Sequence, residues 1–432
     1  ISSTKEIKSE TLVEDEEGVV ILEETPFYAE SGGQIGDRGT ISGKDFVFDV
    51  LDTQKIGDHH GHFGVVREGN LKKDTKVKAH IDESFREKIV PNHSATHLLQ
   101  AALKKTLGDH IEQKGSLVRE NRLRFDFSHS EQVSAEQIVD IEDLVNLQIE
   151  KNSQSVTEVM TIEEATKKGA IAFFGEKYGE EVRVLDLGEG FSVELCGGTH
   201  VKTTGEIGLM KIVSESGISA GVRRIEAVTG IGATLLLQEL EQNITSICDE
   251  LLVDLQPINK NQNNLDLIRD LQSLLNLLAK ELNTSQDQIL KRIIDMKERI
   301  ASLENTLGSK SEISPSSSNL IDAVKELKIL SKSLEDKSKK KEREGISTSV
   351  SDLKEEFIEV AGYKLLTKSF ENTDSNSLRE LADQLRNNET NTIVTLISIS
   401  GDKIPLIVAC SKEVEIDARE IMKHLVNQLG GS

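Results

Sequence analysis

Two short stretches carry the strongest chemical signal in this sequence. His93-Ser94-Ala95-Thr96-His97 sets two imidazoles four residues apart, one turn of an α-helix, so both project from one face within reach of a single cation. Far downstream, Cys196-Gly197-Gly198-Thr199-His200 sets a thiol and an imidazole across two glycines, a spacing that a tight loop would close and a helix would not. One Cys and three His suit Zn²⁺ by ligand softness. Residue 94 is Ser, so the Glu that activates water in HExxH metallopeptidases is missing. Four simultaneous ligands would make the ion closed and structural, whereas a loose His200 would leave one position open to water or substrate. The bland alternative is a set of satisfied core histidines.

A second signal is Thr25-Pro26-Phe27-Tyr28-Ala29-Glu30-Ser31-Gly32-Gly33-Gln34. Its two glycines let backbone approach a ligand closely, and the Gln34 amide offers an acceptor and two donors to a bound ester or amine; an ordinary hairpin turn explains it equally well. In Gly221 to Gly230, Arg223 and Arg224 stand in strand-like surroundings, suited to a phosphate or ribose contact or to a carboxylate salt bridge. The tract Asp58-His59-His60-Gly61-His62 lacks a thiolate and sits among turn residues, so it reads as a solvated loop.

These residues need elements to hold them. Short β-rich runs from Gly18 to about Ile81, such as Val19 to Leu22 and Phe46 to Val50, alternate with Gly and Asp turns, the spacing of a small barrel or curled sheet. Leu98, Leu99, Ala102 and Leu103 recur at helical spacing and predict a helix over Ser94 to Leu107, followed by a strand at Leu123 to Phe127. Ser134 opens a second helix, and strands return at Val182 to Leu187, Phe191 to Leu195 and Gly208 to Glu215. After Gly230 the composition turns to Leu, Glu, Gln, Asn and Lys. Ser285 with Gln288 predicts a capping box, and Ile289, Ile293, Met296, Ile300, Leu303 and Leu307 form a heptad seam. Ser314 to Ser318 reads as the turn of an antiparallel helical pair, with Leu320, Val324, Leu327 and Leu334 returning, and the basic run Lys337 to Arg343 as a solvated helix end. From about Phe357 a strand, a helix (Leu378 to Arg386), two strands (Thr392 to Ile399, Ile404 to Cys410) and a helix (Ile416 to Leu429) make a small α/β unit.

The chain has 432 residues, a length that predicts about three domains. With 37% hydrophobic residues it has enough apolar material for packed cores, which excludes wholesale disorder. Lys plus Arg total 52 against 74 Asp plus Glu, a net charge of -22, which argues against coating nucleic acid by bulk electrostatics. RNA contacts would need local basic residues, with Lys114, Arg122, Arg124, Lys177 and Arg223 as candidates. Cys196, Cys248 and Cys410 are distant from one another and odd in number, so no disulfide framework is written and a reducing, cytoplasmic setting is expected. Neither a membrane span nor a signal peptide is expected. Ile1 is not Met, and Gly430-Gly431-Ser432 reads as an interrupted Gly-rich segment, so a piece of a longer protein is expected.

Taken together and in order, Thr25 to Gln34, His93 to His97, Gln113-Lys114-Gly115-Ser116-Leu117-Val118, Phe174-Gly175-Glu176-Lys177-Tyr178-Gly179, Cys196 to His200 and Gly221 to Gly230 resemble the editing half of alanyl-tRNA synthetase. The tail from Leu378-Arg379-Glu380-Leu381-Ala382-Asp383 resembles the same family's C-terminal domain, while the helical middle resembles it only in character. The resemblance implies an α+β architecture: a Gly-rich β-barrel (1–88), an α+β zinc-binding editing core (89–230), a helical hairpin or coiled coil (231–345) and a small α/β C-terminal domain (346–432). It implies hydrolysis of Ser-tRNA and Gly-tRNA mischarged on the alanine tRNA, without the N-terminal, ATP-dependent aminoacylation domain. It also implies His93, His97, Cys196 and His200 as Zn²⁺ ligands, Gln34 beside the aminoacyl group, Thr25 and Ser31 lining that loop, and Gly32, Gly33, Lys114 and Arg223 toward substrate or tRNA. Homo-oligomerisation through the helical region would follow the family. A free-standing editing protein and a non-catalytic, zinc-stabilised tRNA-binding or dimerisation module are the rival readings.

Overall fold

The computed structural model describes residues 9–171, 179–254, 262–310, 319–371, 373–399 and 404–429, with backbone alone at 342–349 and 351. Phe174 to Tyr178, the Ser314 to Ser318 turn and the Gly430 to Ser432 tail lie outside the described residues. The chain forms two compact units, residues 1–243 with 259–273, and residues 244–258 with 274–432.

The first unit opens with strands β1 (Thr11–Leu12), β2 (Glu17–Ile21), β3 (Gly39–Ser42), β4 (Phe46–Ile56), β5 (His59–Gly69), β6 (Leu71–Lys72) and β7 (Lys78–Ile81). Five of them form an antiparallel sheet in the order β2-β5-β4-β3-β7, and β1 pairs with β6. The sheet is open: β2 and β7 are its edges, so no closed barrel exists among the described residues. Alternation along β4 buries Phe46, Phe48 and Val50 against Phe27, Ile41 and Val66 and leaves Val47 and Asp49 on the other face half-buried. The tract His59 to His62 is not a loop. Gly57 and Asp58 make a two-residue turn with Gly57 at φ +60, and the histidines begin β5, with Lys55 directly opposite His60.

Helix α1 runs Glu83–Leu107, eleven residues earlier than the predicted start at Ser94. Asp82 caps it by accepting from Phe85 N at 3.0 Å. The missed turns bury only Phe85, Ile89 and the polar Asn92 before the histidines, expose Glu83, Glu87 and Lys88, and carry Pro91 inside the helix, so they show little of the stripe that marks a helix. Next come β8 (Gln113–Val118), β9 (Leu123–Ser128), α2 (Ala135–Glu150), β10 (Val156–Thr161), α3 (Ile162–Lys167), β11 (Glu181–Leu187), β12 (Ser192–Leu195), β13 (Met210–Ser219) and β14 (Val222–Thr229). Antiparallel sheets form in the orders β13-β14-β9-β8 and β10-β11-β12. Ser134 opens α2 as expected, through a capping box with Gln137. The core joins Leu98, Leu99 and Leu103 of α1 to Phe125, Phe127, Ile141 and Val145, each fully buried side chain contributing about 1.5–3 kcal/mol. Fully buried Glu142 is held by Lys211 (2.5 Å) and Arg269 (2.9 Å); removing either cation would leave a buried charge poorly compensated, at about 3–5 kcal/mol.

Beyond β14 lie α4 (Gly230–Leu251), α5 (Asn264–Leu282), α6 (Ile289–Leu307) and α7 (Leu320–Lys354). The Ser285 capping box does not form. A 3₁₀ turn occupies Gln286–Gln288, and the Ser285 and Gln288 side chains both bond the Asp287 carboxylate instead, holding its pKa below the usual range. Helices α6 and α7 pack together and bury Ile289, Ile293, Ile300, Val324, Leu327 and Leu334. They run in the same sense, not antiparallel: Arg299 bonds Glu335 at 2.8 Å, and further along both helices Lys341 reaches the Thr306 and Leu307 carbonyls. The second unit ends in β15 (Ile358–Val360), β16 (Tyr363–Glu371), α8 (Ser375–Asn387), β17 (Thr392–Ile399), β18 (Leu406–Cys410) and α9 (Ala418–Leu429), close to the expected order of elements. Its sheet runs β15-β16-β17-β18, with β16 and β17 parallel and α8 crossing between them.

Candidate metal centre and cleft

Helix α1 carries His93 and His97, both buried, on consecutive turns of one face. Cys196 follows directly on β12, and His200 closes the loop after it. One ligand atom from each of these four residues lies within 4.8 Å of the other three. The loop is held from below by Arg183, which donates to the carbonyls of Cys196 (3.1 Å) and Gly198 (2.6 Å). A Cβ at residue 198 would lie 2.0 Å from the His93 ring, so only glycine lets the loop pass this close.

The far nitrogen of each imidazole has its own partner. His93 Nδ1 lies 2.6 Å from Gln34 Oε1, which also accepts from Thr199 N at 3.0 Å and from Thr199 Oγ1 at 3.1 Å. The Thr199 N–H can only donate, so it fixes which end of the Gln34 amide is oxygen, and His93 Nδ1 must then carry its hydrogen. His97 Nδ1 donates to the buried Glu194 carboxylate at 2.6 Å, whose other oxygen accepts from Ser192 Oγ at 3.0 Å. His200 Nδ1 meets Ser94 Oγ at 3.2 Å, so the residue in place of a peptidase Glu orients a ligand. The Nε2 atoms are left for the centre. Those of His93 and His200 lie 3.6 and 3.2 Å from Cys196 Sγ, and that of His97 is buried without a hydrogen-bond partner. A tetrahedron with bonds of roughly 2.0–2.3 Å has edges of about 3.3–3.7 Å, so the donor set fits one cation with oriented outer partners.

The electrostatics agree. Burial works to raise the Cys196 thiol, but the His97 and His93 imidazoles outweigh it and hold the pKa well below the ordinary value. Burial works to lower His97, but the Glu194 carboxylate and Cys196 outweigh it and raise the pKa to about 10. His200 is driven down to about 3 by burial and by His93. A cation there would compete with the proton that the Glu194 carboxylate favours on His97.

A cleft of about 280 Å³ adjoins this cluster, with His93, His97 and Cys196 in its wall beside Ser31, Gly32 and Lys55. Ser31 and Gln34 bridge to each other across the turn, and Ser31 Oγ accepts from Lys55 Nζ at 2.8 Å. Gly32 and Gly33 have φ +58 and +88, the left-handed region that favours glycine. Gln34 is fully buried behind the turn and acts on His93, with its Nε2 unpartnered. Thr25 is not in the cleft wall. Its Oγ1 bonds Nε2 of fully buried His62 at 2.7 Å, and His62 Nδ1 donates to Val20 O at 2.8 Å; burial holds His62 below its ordinary pKa although the Val20 carbonyl opposes this.

The basic candidates are mostly spent on carboxylates. Lys114 pairs with Glu112 at 2.9 Å, Arg223 grips Glu215 at 2.5 and 2.6 Å, and Arg224 grips Asp126 at 2.7 and 2.8 Å. Arg122 and Arg124 lie 3.8 Å from Glu226 and Asp126, and Lys177 is outside the described residues. Sequence reasoning missed Lys55, His60, Tyr28 and Glu194. For the first two the available signal was the Gly57-Asp58 turn between alternating runs. For Glu194 it was a charge on the inward face of a strand.

Three family models match the chain: tRNA synthetases class II (A) over residues 1–85, the threonyl and alanyl tRNA synthetase second additional domain over 182–226, and the DHHA1 domain over 362–432. Over 425 residues the sequence is 40% identical to an alanine--tRNA ligase of Saccharophagus degradans, covering 98% of this chain and 41% of that protein. The chain is an alanine--tRNA ligase homologue. It spans about two fifths of the length of that ligase. The second additional domain match contains β11, β12, the Cys196 to His200 loop and most of β13 and β14, which is half of the donor cluster. Among the described residues of this ligase homologue, no helix is long and apolar enough to cross a membrane.

Proposed function

We propose that this chain holds Zn²⁺ through His93, His97, Cys196 and His200 and hydrolyses the ester of alanine tRNA mischarged with Ser or Gly. The observation that carries this reading is the position of three of the four clustered donors, His93, His97 and Cys196, in the wall of a cleft that Ser31 and Gly32 also line. The need for such an activity is physical. An alanine pocket cannot strongly reject Gly, which is smaller, or Ser, which merely adds a hydroxyl, so binding discriminates by only about 1–3 kcal/mol and a second hydrolytic site supplies the rest. Bound Zn²⁺ would supply Lewis acidity and a fixed positive charge beside the ester. The turn would admit the ester closely because Gly32 has no side chain. Gln34 would hold the His93 ring through its Oε1. The tRNA, its acceptor end in this cleft, is the proposed partner.

A second reading, a purely structural ion in a tRNA-binding module, draws on the convergence of all four donors, which can fill a tetrahedron. Deacylation of Ser-tRNA(Ala) separates the two. The editing reading expects turnover by the wild-type chain and its loss in a folded Cys196→Ala variant. Turnover no faster than the uncatalysed reaction would leave the structural ion.

A further inference from the structure

Lys55 and His60 face each other across the β4–β5 hairpin, and both belong to the cleft wall that holds His93 and Cys196. His60 Nδ1 lies 3.1 Å from the carbonyl oxygen of Phe27. A carbonyl accepts and never donates, so Nδ1 carries the hydrogen and Nε2 of the neutral ring keeps its lone pair. No carboxylate lines the cleft among the described residues. Its other polar groups are engaged or, like the Gln113 amide, unsuited to take a proton. His93, His97 and Cys196 belong to the cation cluster. The Tyr28 hydroxyl donates to Ser31 O, that of Thr96 to Asn92 O and that of Ser116 to Gly32 O. The Lys55 ammonium, which donates to Ser31 Oγ, has no lone pair.

Building on the editing reading, we infer that His60 is the general base of the hydrolysis, with Lys55 keeping the Ser31 side of the cleft in place opposite it. A water in the cleft gives a proton to His60 Nε2 as its oxygen bonds to the ester carbonyl carbon. The bond from that carbon to the ribose oxygen then breaks, and the imidazolium returns the proton to the leaving oxygen. The products are the free amino acid and tRNA with its terminal hydroxyl restored, with no change in oxidation state. The cleft, at the small end of ligand sites of roughly 300–1,000 Å³, keeps the hairpin wall and the donor wall within reach of one bound ester.

The test is steady-state deacylation of Ser-tRNA(Ala) by the zinc-loaded 432-residue chain, with zinc content and melting temperature measured on every variant. His60→Gln keeps a donor for the Phe27 carbonyl and removes the basic nitrogen. It should lower kcat about 100-fold or more, with KM and zinc content close to wild type, and imidazole added to His60→Ala should restore turnover in proportion to its concentration. Should His60→Gln lose zinc or fold, the folded His60→Ala decides through rescue. A kcat near wild type in His60→Gln, a rise in KM alone, or no rescue of folded, zinc-loaded His60→Ala overturns the inference. If His60→Gln is active while Cys196→Ala is dead, the editing reading stands and only the base assignment falls. An inactive wild type removes both.

Discussion

The Gln34 amide oxygen serves three donors at once, and two of them, the His93 ring and the Thr199 backbone, shape the metal centre. Gln34→Ala would remove the acceptor from both, at about 1–3 kcal/mol for a buried group left unmet. Loss of a ligand's outer partner typically weakens metal affinity 10–100-fold. Competition with a chromophoric chelator should therefore show affinity down by about that factor, with a lower melting temperature. The four donors themselves were legible in the sequence, because an i, i+4 pair on a helix and a Cys-Gly-Gly-Thr-His loop leave few other geometries. Their outer partners were not. Gln34, Glu194 and Ser94 act on rings 59, 97 and 106 residues away, and only tertiary packing decides such meetings. Gln34 was expected beside the aminoacyl group and Thr25 in the lining of that loop; each also bonds a histidine ring, His93 and His62.

At the scale of elements, the Ser31 to Gln34 turn depends unequally on its glycines. A Cβ on Gly32 meets nothing within 4 Å, whereas on Gly33 it would fall 2.0 Å from Ser116 Oγ and 2.7 Å from the Ser116 carbonyl oxygen. Gly32→Ala should cost about 1–2 kcal/mol, the left-handed penalty alone. Gly33→Ala should cost more than that and also weaken metal binding, because the turn must leave β8 and carry Gln34 with it. Urea unfolding and chelator competition on the two variants check this contrast. Short-range patterns served the sequence reading well where one segment decides its own structure, as at Ser134 with Gln137. They served less well where neighbours compete. At Ser285 the adjacent Asp287 takes both capping side chains. The heptad seam of α6 was visible, but a stripe records which face is buried and not which way the partner runs, so the shared direction of α6 and α7 was hidden. Within the chain, α7 packs on α6, and Ile289, Ile293 and Ile300 of that seam are buried.

For the whole molecule, the cation cluster joins α1 to the loop after β12, two parts of one core. An ion held there as proposed would stabilise the native state, and its removal would cost that stabilisation. Hydrogen exchange after chelation should show faster exchange, by about tenfold or more, in the second half of α1 and in residues 196–201. Protection in α8 and β17, which share a separate core, should stay unchanged. Equal loss of protection in all of these would mean that the ion stabilises both cores alike. The wide separation of the donors in sequence also sets the order in which this centre is made. His93 and Cys196 are 103 residues apart, and Gln34 meets Thr199 across 165. A chain emerging from the ribosome thus displays two histidines with no thiolate to share a cation until β12 has been synthesised and docked. With a cation bound there as proposed, its retention would be a late checkpoint that a truncated or misassembled chain could not pass.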